Sequence, residues 1–225
     1  MFRIQNITVK YNAKEVIDNL NLEINEGRIF GVLGSNGAGK TTLFESIFQN
    51  TKYNGQILLQ NQPISKRDIS YLESENYFYP YLSVSDILSL FINENEDEKM
   101  KKLTNFFNIP TDAIVEKLSL GTKKKLAILC NILIDRPVYL FDEPFNGLDF
   151  DSVEKFYFII DELKKRNKIV LISSHIMETL THCCDYIGHL QNGKFIKIYL
   201  SEEYHLIRTH LTEDIQKDWV SYTNI

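Results

Sequence analysis

The chain has 225 residues and a net charge of −5 with histidine neutral; 44% of residues are hydrophobic and 24% charged. These are the proportions of a globular chain with a sizeable core, and they exclude a disordered, fibrous or disulfide-stapled protein. No run reaches the roughly 20 apolar residues of a membrane span, Met1–Lys10 lacks the apolar stretch of a signal peptide, and the acidic balance argues against a nucleic-acid partner.

In chain order, Phe2–Val9 reads as a strand and Leu20–Ile24 alternates as another. Gly27 breaks the pattern before Ile29–Leu33, a short apolar run fit for a buried strand. After Gly34 the chain is helix-compatible from about Lys40 to Phe48, and Ile57–Leu59 follows as a strand. From about Tyr77 to Asp135 the patterns are helical, over Val84–Phe91, Glu98–Phe107 and Leu118–Ile134. The acidic stretch Asn93–Glu98 is expected as a solvated loop. Apolar runs return at Val138–Phe141 and Ile169–Ile172, with a helix over Ser152–Arg166 between them. Tyr186–Leu190 and Lys194–Tyr199 suit a hairpin closed at Asn192-Gly193. Ile207, Leu211, Ile215 and Trp219 recur every four residues, which predicts an amphipathic tail helix against the main lobe. This order predicts an α/β fold with a mostly parallel lobe, an antiparallel β piece near the N-terminus and an inserted helical subdomain.

Gly34-Ser35-Asn36-Gly37-Ala38-Gly39-Lys40-Thr41 fits the phosphate-loop pattern G-x-x-x-x-G-K-S/T. Glycines let successive backbone N–H groups point at a phosphate, and the helix starting near Lys40 adds its positive end. Lys40 should reach the β- and γ-phosphates and the Thr41 hydroxyl should ligate Mg²⁺. The plain alternative is a glycine turn with no ligand; the strand before and the helix after argue against it. A hundred residues on, Val138–Phe141 delivers Asp142 and Glu143 at the carboxyl end of a strand, where α/β sheets place ligand groups. Asp142 suits Mg²⁺ and Glu143 suits a base for an attacking water. By contrast, His182-Cys183-Cys184 are consecutive, unlike separated zinc ligands, and the three cysteines, with Cys130, suit a reducing compartment.

With these residues placed, the chain resembles the ATP-binding cassette (ABC) ATPase family over roughly Phe2–Leu200. Gly34–Thr42, ending in Thr41-Thr42, is similar to the Walker A motif, and Asp142-Glu143-Pro144 to the Walker B end. Leu118-Ser119-Leu120-Gly121-Thr122 resembles the signature, and Asn146-Gly147-Leu148-Asp149 the D-loop. Tyr11 stands where the family stacks an aromatic on adenine, and His175 takes the place of the switch histidine that contacts the γ-phosphate.

The resemblance implies a P-loop NTPase (RecA-like) core, with residues 1–200 as the ATPase domain, the helical subdomain at about 77–135 and a helical tail at 201–225. It implies ATP and Mg²⁺ as ligands, Glu143, His175 and Lys40 as catalytic groups, and a head-to-tail homodimer or heterodimer. In that dimer Ser119, Gly121 and Asp149 serve the partner's nucleotide. It further implies a separate transmembrane permease, export as the favoured direction, and a peripheral place on the cytoplasmic face of the membrane. The alternatives are a soluble ABC ATPase outside transport and a weakly hydrolysing regulatory subunit.

Two departures stand out. Leu120 and Thr122 replace a glycine and a glutamine of the signature, while Ser119 and Gly121 are kept. In Ile69–Glu75, Ser74 takes the place of the Q-loop glutamine that helps hold Mg²⁺ and water, with Glu73 and Glu75 beside it as other candidates. Tyr77-Phe78-Tyr79-Pro80-Tyr81 is either core of the helical subdomain or an exposed patch for a transmembrane partner. The Lys123-Lys124-Lys125 triplet reads mostly as a solvated helix face.

Overall fold

The computed structural model describes residues 1–12, 14–91 and 97–223. Two sheets make up its β structure. The first is antiparallel, ordered β2-β1-β4-β5, from β1 (Phe2–Tyr11), β2 (Lys14–Ile24), β4 (Asn54–Leu59) and β5 (Gln62–Pro63). The second runs β10-β9-β3-β8-β7-β6, from β3 (Ile29–Leu33), β6 (Ile69–Leu72), β7 (Val138–Asp142), β8 (Ile169–Ser174), β9 (Tyr186–Gln191) and β10 (Lys194–Leu200). All neighbours in it are parallel except β9 and β10, whose hairpin turns at Asn192 and Gly193, both with positive φ.

The continuous apolar runs of β3, β7 and β8 follow from packing on both faces. Ile29, Leu33, Tyr139, Phe141, Val170 and Ile172 point to one core, with the helices. Phe30, Val32, Val138, Leu140, Ile169 and Leu171 point to the other, beneath the antiparallel sheet and α1 (Lys40–Ile47). Side chains alternate across a strand, so only residues apolar at every position can fill two cores.

The helices are α2 (Val84–Ser89), α3 (Asp97–Phe107), α4 (Leu120–Leu133), α5 (Phe150–Lys165), α6 (Met177–Thr181) and α7 (Tyr204–Thr223). Of the expected acidic loop Asn93–Glu98, residues 93–96 lie outside the described residues, and Asp97 and Glu98 open α3. α4 starts at Leu120, two residues inside the expected Leu118–Ile134, because the Ser119 hydroxyl caps it there by accepting from Thr122 N–H at 3.2 Å. Asp149 likewise starts α5 at Phe150 by accepting from Ser152 N–H at 2.8 Å. α7 packs through Ile207, fully buried, and Leu211, but Trp219 is 67% exposed. A repeat of four drifts around a helix of 3.6 residues per turn, so the stripe leaves the lobe. The side chain of Ile215 lies outside the described residues.

Candidate active site

β3, β8 and β7 are adjacent and parallel, and Leu33 pairs with Ser174 as Asp142 pairs with Ser173. This register sets the phosphate loop, the Asp142-Glu143 pair and Ser173–His175 at one end of the sheet, the usual ligand edge of an α/β fold. Gly37 and Gly39 in the loop have φ of 81° and 108°. A Cβ on Gly39 would also lie 3.0 Å from Ile17 and 3.1 Å from the Val16 carbonyl, so only glycine turns there without strain. A cleft of about 440 Å³ opens beside the loop, lined by Asn36, Gly37, Gly39, Lys40, Thr41, Thr42, Ser74, Glu143 and Val16.

Lys40 is buried, and its ammonium donates to the carbonyls of Gly34 at 2.8 Å and Ser35 at 3.2 Å. It also lies 3.2 Å from Glu143 Oε1. That oxygen is buried and accepts no hydrogen bond of good angle, so the pair is held by charge alone. The other oxygen, Oε2, is 3.0 Å from His175 Nδ1, a contact that requires a proton on Nδ1. Glu143 has φ of 47°, a left-handed conformation unusual outside glycine. Its N–H donates to Ser173 Oγ at 2.9 Å, and that hydroxyl in turn donates to Asp142 Oδ1. Thr41 donates to the other oxygen of Asp142 at 2.7 Å. The fully buried Asp142 therefore receives one hydroxyl on each oxygen, and Ser173 ties it to the backbone of Glu143.

The oxygen-only set of Thr41 and Asp142 beside the phosphate loop fits Mg²⁺, a hard ion that takes one or two carboxylates and completes its shell from phosphate and water. Ser74 lines the same cleft and belongs to it by position. Gly34, Ser35 and Ala38 shape the loop: Ala38 N–H donates to the Ser35 carbonyl at 3.2 Å, and Gly34 N–H to the Ser174 carbonyl at 3.3 Å.

Other sequence-predicted residues lie elsewhere. Tyr11 ends β1, half-exposed, with its hydroxyl 2.8 Å from Thr51 Oγ1, and is not among the residues that line the cleft. Ser119 and Gly121 stand at the start of α4, also away from that lining. Gly121 presses against the D-loop: a Cβ there would come 2.7 Å from the Gly147 carbonyl oxygen. Leu120 is 83% exposed, and Asp149 caps α5 with Lys125 at 3.8 Å. Tyr77, Tyr79 and Tyr81 are exposed while Phe78 packs on the helical core, so the aromatic cluster divides between both of its readings.

Sequence reasoning missed Val16, the apolar wall of the cleft, and the linking part of Ser173. It also missed that one lysine of the triplet, Lys124, is buried. Lys123 donates to the Glu116 carbonyl at 3.2 Å, and Lys124 is buried, donating to the carbonyls of Ser74 at 3.1 Å and Glu73 at 3.3 Å. Lys123 and Lys125 stay partly exposed, whereas Lys124 lies against the Glu73-Ser74 segment. Burial pushes the Lys124 ammonium down to about 8, against the pull of Asp142 and Glu143.

The pattern that defines the ABC transporter family matches residues 17–146. The chain is 30% identical over 213 residues to a lantibiotic transport ATP-binding protein, SrtF, of Streptococcus pyogenes, covering 91% of each. It is 29% identical to AlbC, a putative ABC transporter ATP-binding protein of Bacillus subtilis, over 87% of this chain and 90% of that one. Among solved structures, the ATP-binding subunit of an ABC transporter aligns with a TM-score of 0.84 at 24% identity, over 90% of this chain and 91% of that one. A dimeric cassette bound to ADP and phosphate aligns at 0.80 with 19% identity, over 89% of this chain and 99% of that one. At these identities the solved structures speak to the fold alone.

Proposed function

The chain belongs to the ABC transporter family as an ATP-binding subunit, and from that premise we propose that it hydrolyses ATP to ADP and phosphate and drives a separate transmembrane permease. The observation that carries this reading is the convergence of Lys40, Thr41, Asp142, Glu143 and His175 at one sheet edge. Loop N–H groups and the start of α1 bind the phosphates. Lys40 exchanges its carbonyl partners for phosphate oxygens and stabilises the charge that develops there. That movement separates Lys40 from Glu143, whose carboxylate is then free to take a proton from water. The water oxygen bonds to the γ-phosphorus as the bond to the ADP oxygen breaks. His175 Nδ1–H orients Glu143 and stands ready for the γ-phosphate. Thr41 and Asp142, with Ser74 nearby, would hold Mg²⁺, which would supply charge neutralisation for the phosphates.

Ser119 and Gly121 sit at the start of α4 and do not line the chain's own cleft, which supports their use, with Asp149, on the ATP of a second subunit. Tyr11 is assigned to adenine on the resemblance alone. In this reading residues 1–200 are the cassette, 201–225 a helical appendage, and the exposed tyrosines face the permease. No described helix is long and apolar enough to cross a membrane; in this reading the permease holds the subunit at the cytoplasmic face. The likeness to a lantibiotic transport ATP-binding protein supports transport, and export is the direction proposed here.

Glu143→Gln tests the reading. It should bind ATP, accumulate as a dimer by light scattering, and lose about 10²- to 10⁴-fold in kcat. Unchanged turnover removes Glu143 as the base. The short Ser74 side chain favours one second reading, a slowly hydrolysing regulatory subunit. A wild-type chain that binds ATP yet shows no turnover above the protein-free background identifies it.

A further inference from the structure

We propose that Lys124 is a positioning residue for hydrolysis: from the first turns of α4 it holds the Glu73-Ser74 backbone so that Ser74 faces the catalytic cleft. The inference rests on the hydrolytic reading above and adds a residue that the family motifs do not assign.

A lysine in the core of a helical lobe needs a reason. Lys124 is only 5% exposed, and its two hydrogen-bond partners, the carbonyls of Ser74 and Glu73, are both neutral. Burying an ammonium whose hydrogen-bond partners are neutral costs stability that an apolar side chain of similar length would not, and the charges of Asp142 and Glu143 offset that cost only in part. The neighbours on α4 do related work at other loops. Lys123 reaches the Glu116 carbonyl ahead of the signature, and Lys125 approaches Asp149 of the D-loop. Lys124 is the one directed to the segment that ends in the cleft.

That segment needs an anchor. β6 and its ladder to β7 stop at Leu72, so Glu73 and Ser74 are the first residues without strand pairing. Ser74 then lines two cavities at once: the phosphate-loop cleft, and a neighbouring one of about 500 Å³ between this loop, α4 and Asn146-Gly147. A serine hydroxyl is short, so its use in the cleft depends on where the backbone is held. Two hydrogen bonds from one buried ammonium fix two successive carbonyls, and with them the direction of the Ser74 side chain. Because Ser119 caps the same helix, the signature and the cleft are joined through a single side chain.

The test is a kinetic cycle on the full chain. Wild type, Lys124→Met, Lys124→Arg, Ser74→Ala and the Lys124→Met/Ser74→Ala double variant are compared for kcat and KM for ATP. Equilibrium affinity for a fluorescent ATP analogue and melting temperature are measured alongside. The methionine variant should lose about tenfold or more in kcat while KM and affinity stay within about threefold. Arginine, which keeps charge and donors, should recover most of that loss. The double variant should be no slower than the slower single one, since both changes remove the same positioned hydroxyl. A methionine variant at wild-type kcat, a fully active Ser74→Ala, or losses that multiply in the double variant would each overturn the proposal. So would equal losses of affinity and kcat together with a lowered melting point. Glu143→Gln measured in parallel separates the two ideas. Retained turnover there sinks the hydrolytic reading, whereas an inactive Glu143→Gln beside a fully active Lys124→Met sinks only this one.

Discussion

Ser173→Ala is the most informative single change at the sheet edge. The Ser173 hydroxyl donates to Asp142 Oδ1 and accepts from Glu143 N–H at 2.9 Å, in a site where Ser173 and Asp142 are both fully buried. Alanine removes a hydrogen bond to a carboxylate, worth about 1.5–3 kcal/mol, and leaves a backbone N–H without its partner, at about 1–3 kcal/mol. Allowing for partial relaxation, the loss is about 4 kcal/mol. In a chain of this size each kcal/mol moves the melting temperature by about 2–4 °C, so a fall of about 8–16 °C is expected. Turnover should fall as well, because that N–H bond pins the left-handed turn at Glu143, a conformation that costs about 1–2 kcal/mol in a non-glycine residue. Differential scanning calorimetry with a coupled ATPase assay measures both. Ser173→Thr keeps the hydroxyl and should retain most of the stability. A melting temperature for Ser173→Ala within about 2 °C of wild type would refute the argument that this hydroxyl joins Asp142 to Glu143.

Asp149 is held below the ordinary carboxylate range by hydrogen bonds from Ser152, with Lys125 adding a smaller pull. A depressed folded value means that the unfolded chain takes the proton first, so this stabilisation is present above about pH 4 and lost as pH falls through the folded value. Asp149→Ala should cost about 1 kcal/mol at pH 7 in urea unfolding and less below pH 4; an equal cost at both would show that the ionised cap contributes nothing. Tyr79→Glu and Tyr81→Glu, at exposed positions, should abolish co-sedimentation with permease-containing membranes while changing stability by less than about 0.5 kcal/mol. Retained co-sedimentation would remove these tyrosines from the docking surface.

Strands and phosphate chemistry were legible because each depends on local pattern. β3, β7 and β8 are apolar at every position, and the loop before Lys40 needs glycines wherever the backbone turns left-handed. β6 was less visible: Ile69–Leu72 includes Ser70, whose hydroxyl is satisfied only by Asn131 on distant α4, so its burial leaves no mark in the local run. The starts of α4 and α5 shifted for a related reason. A cap is made by one side chain, Ser119 or Asp149, that lies outside the apolar period used to find the helix. Lys124 was misread because a lysine in a charged run looks the same whether water or a neighbouring loop covers it.

The departures from the family pattern at the signature and Q-loop differ in physical kind. Leu120 replaces a glycine where the side chain is 83% exposed, so nothing in the chain's own packing opposes it. Gly121 has no such freedom, since a Cβ would meet the Gly147 carbonyl at 2.7 Å, and there the glycine is kept. Thr122 replaces a glutamine but places its hydroxyl 2.8 Å from Ser119 Oγ, adding to the cap of α4. Ser74 is the substitution that shortens a side chain inside the cleft, and the backbone beneath it is the one gripped by Lys124. A loss of reach in one side chain is thus set against a firm anchor on its backbone. On this argument the Q-loop change does not by itself mark an inactive subunit, and the kinetic cycle on Ser74 and Lys124 measures how far the anchor offsets it.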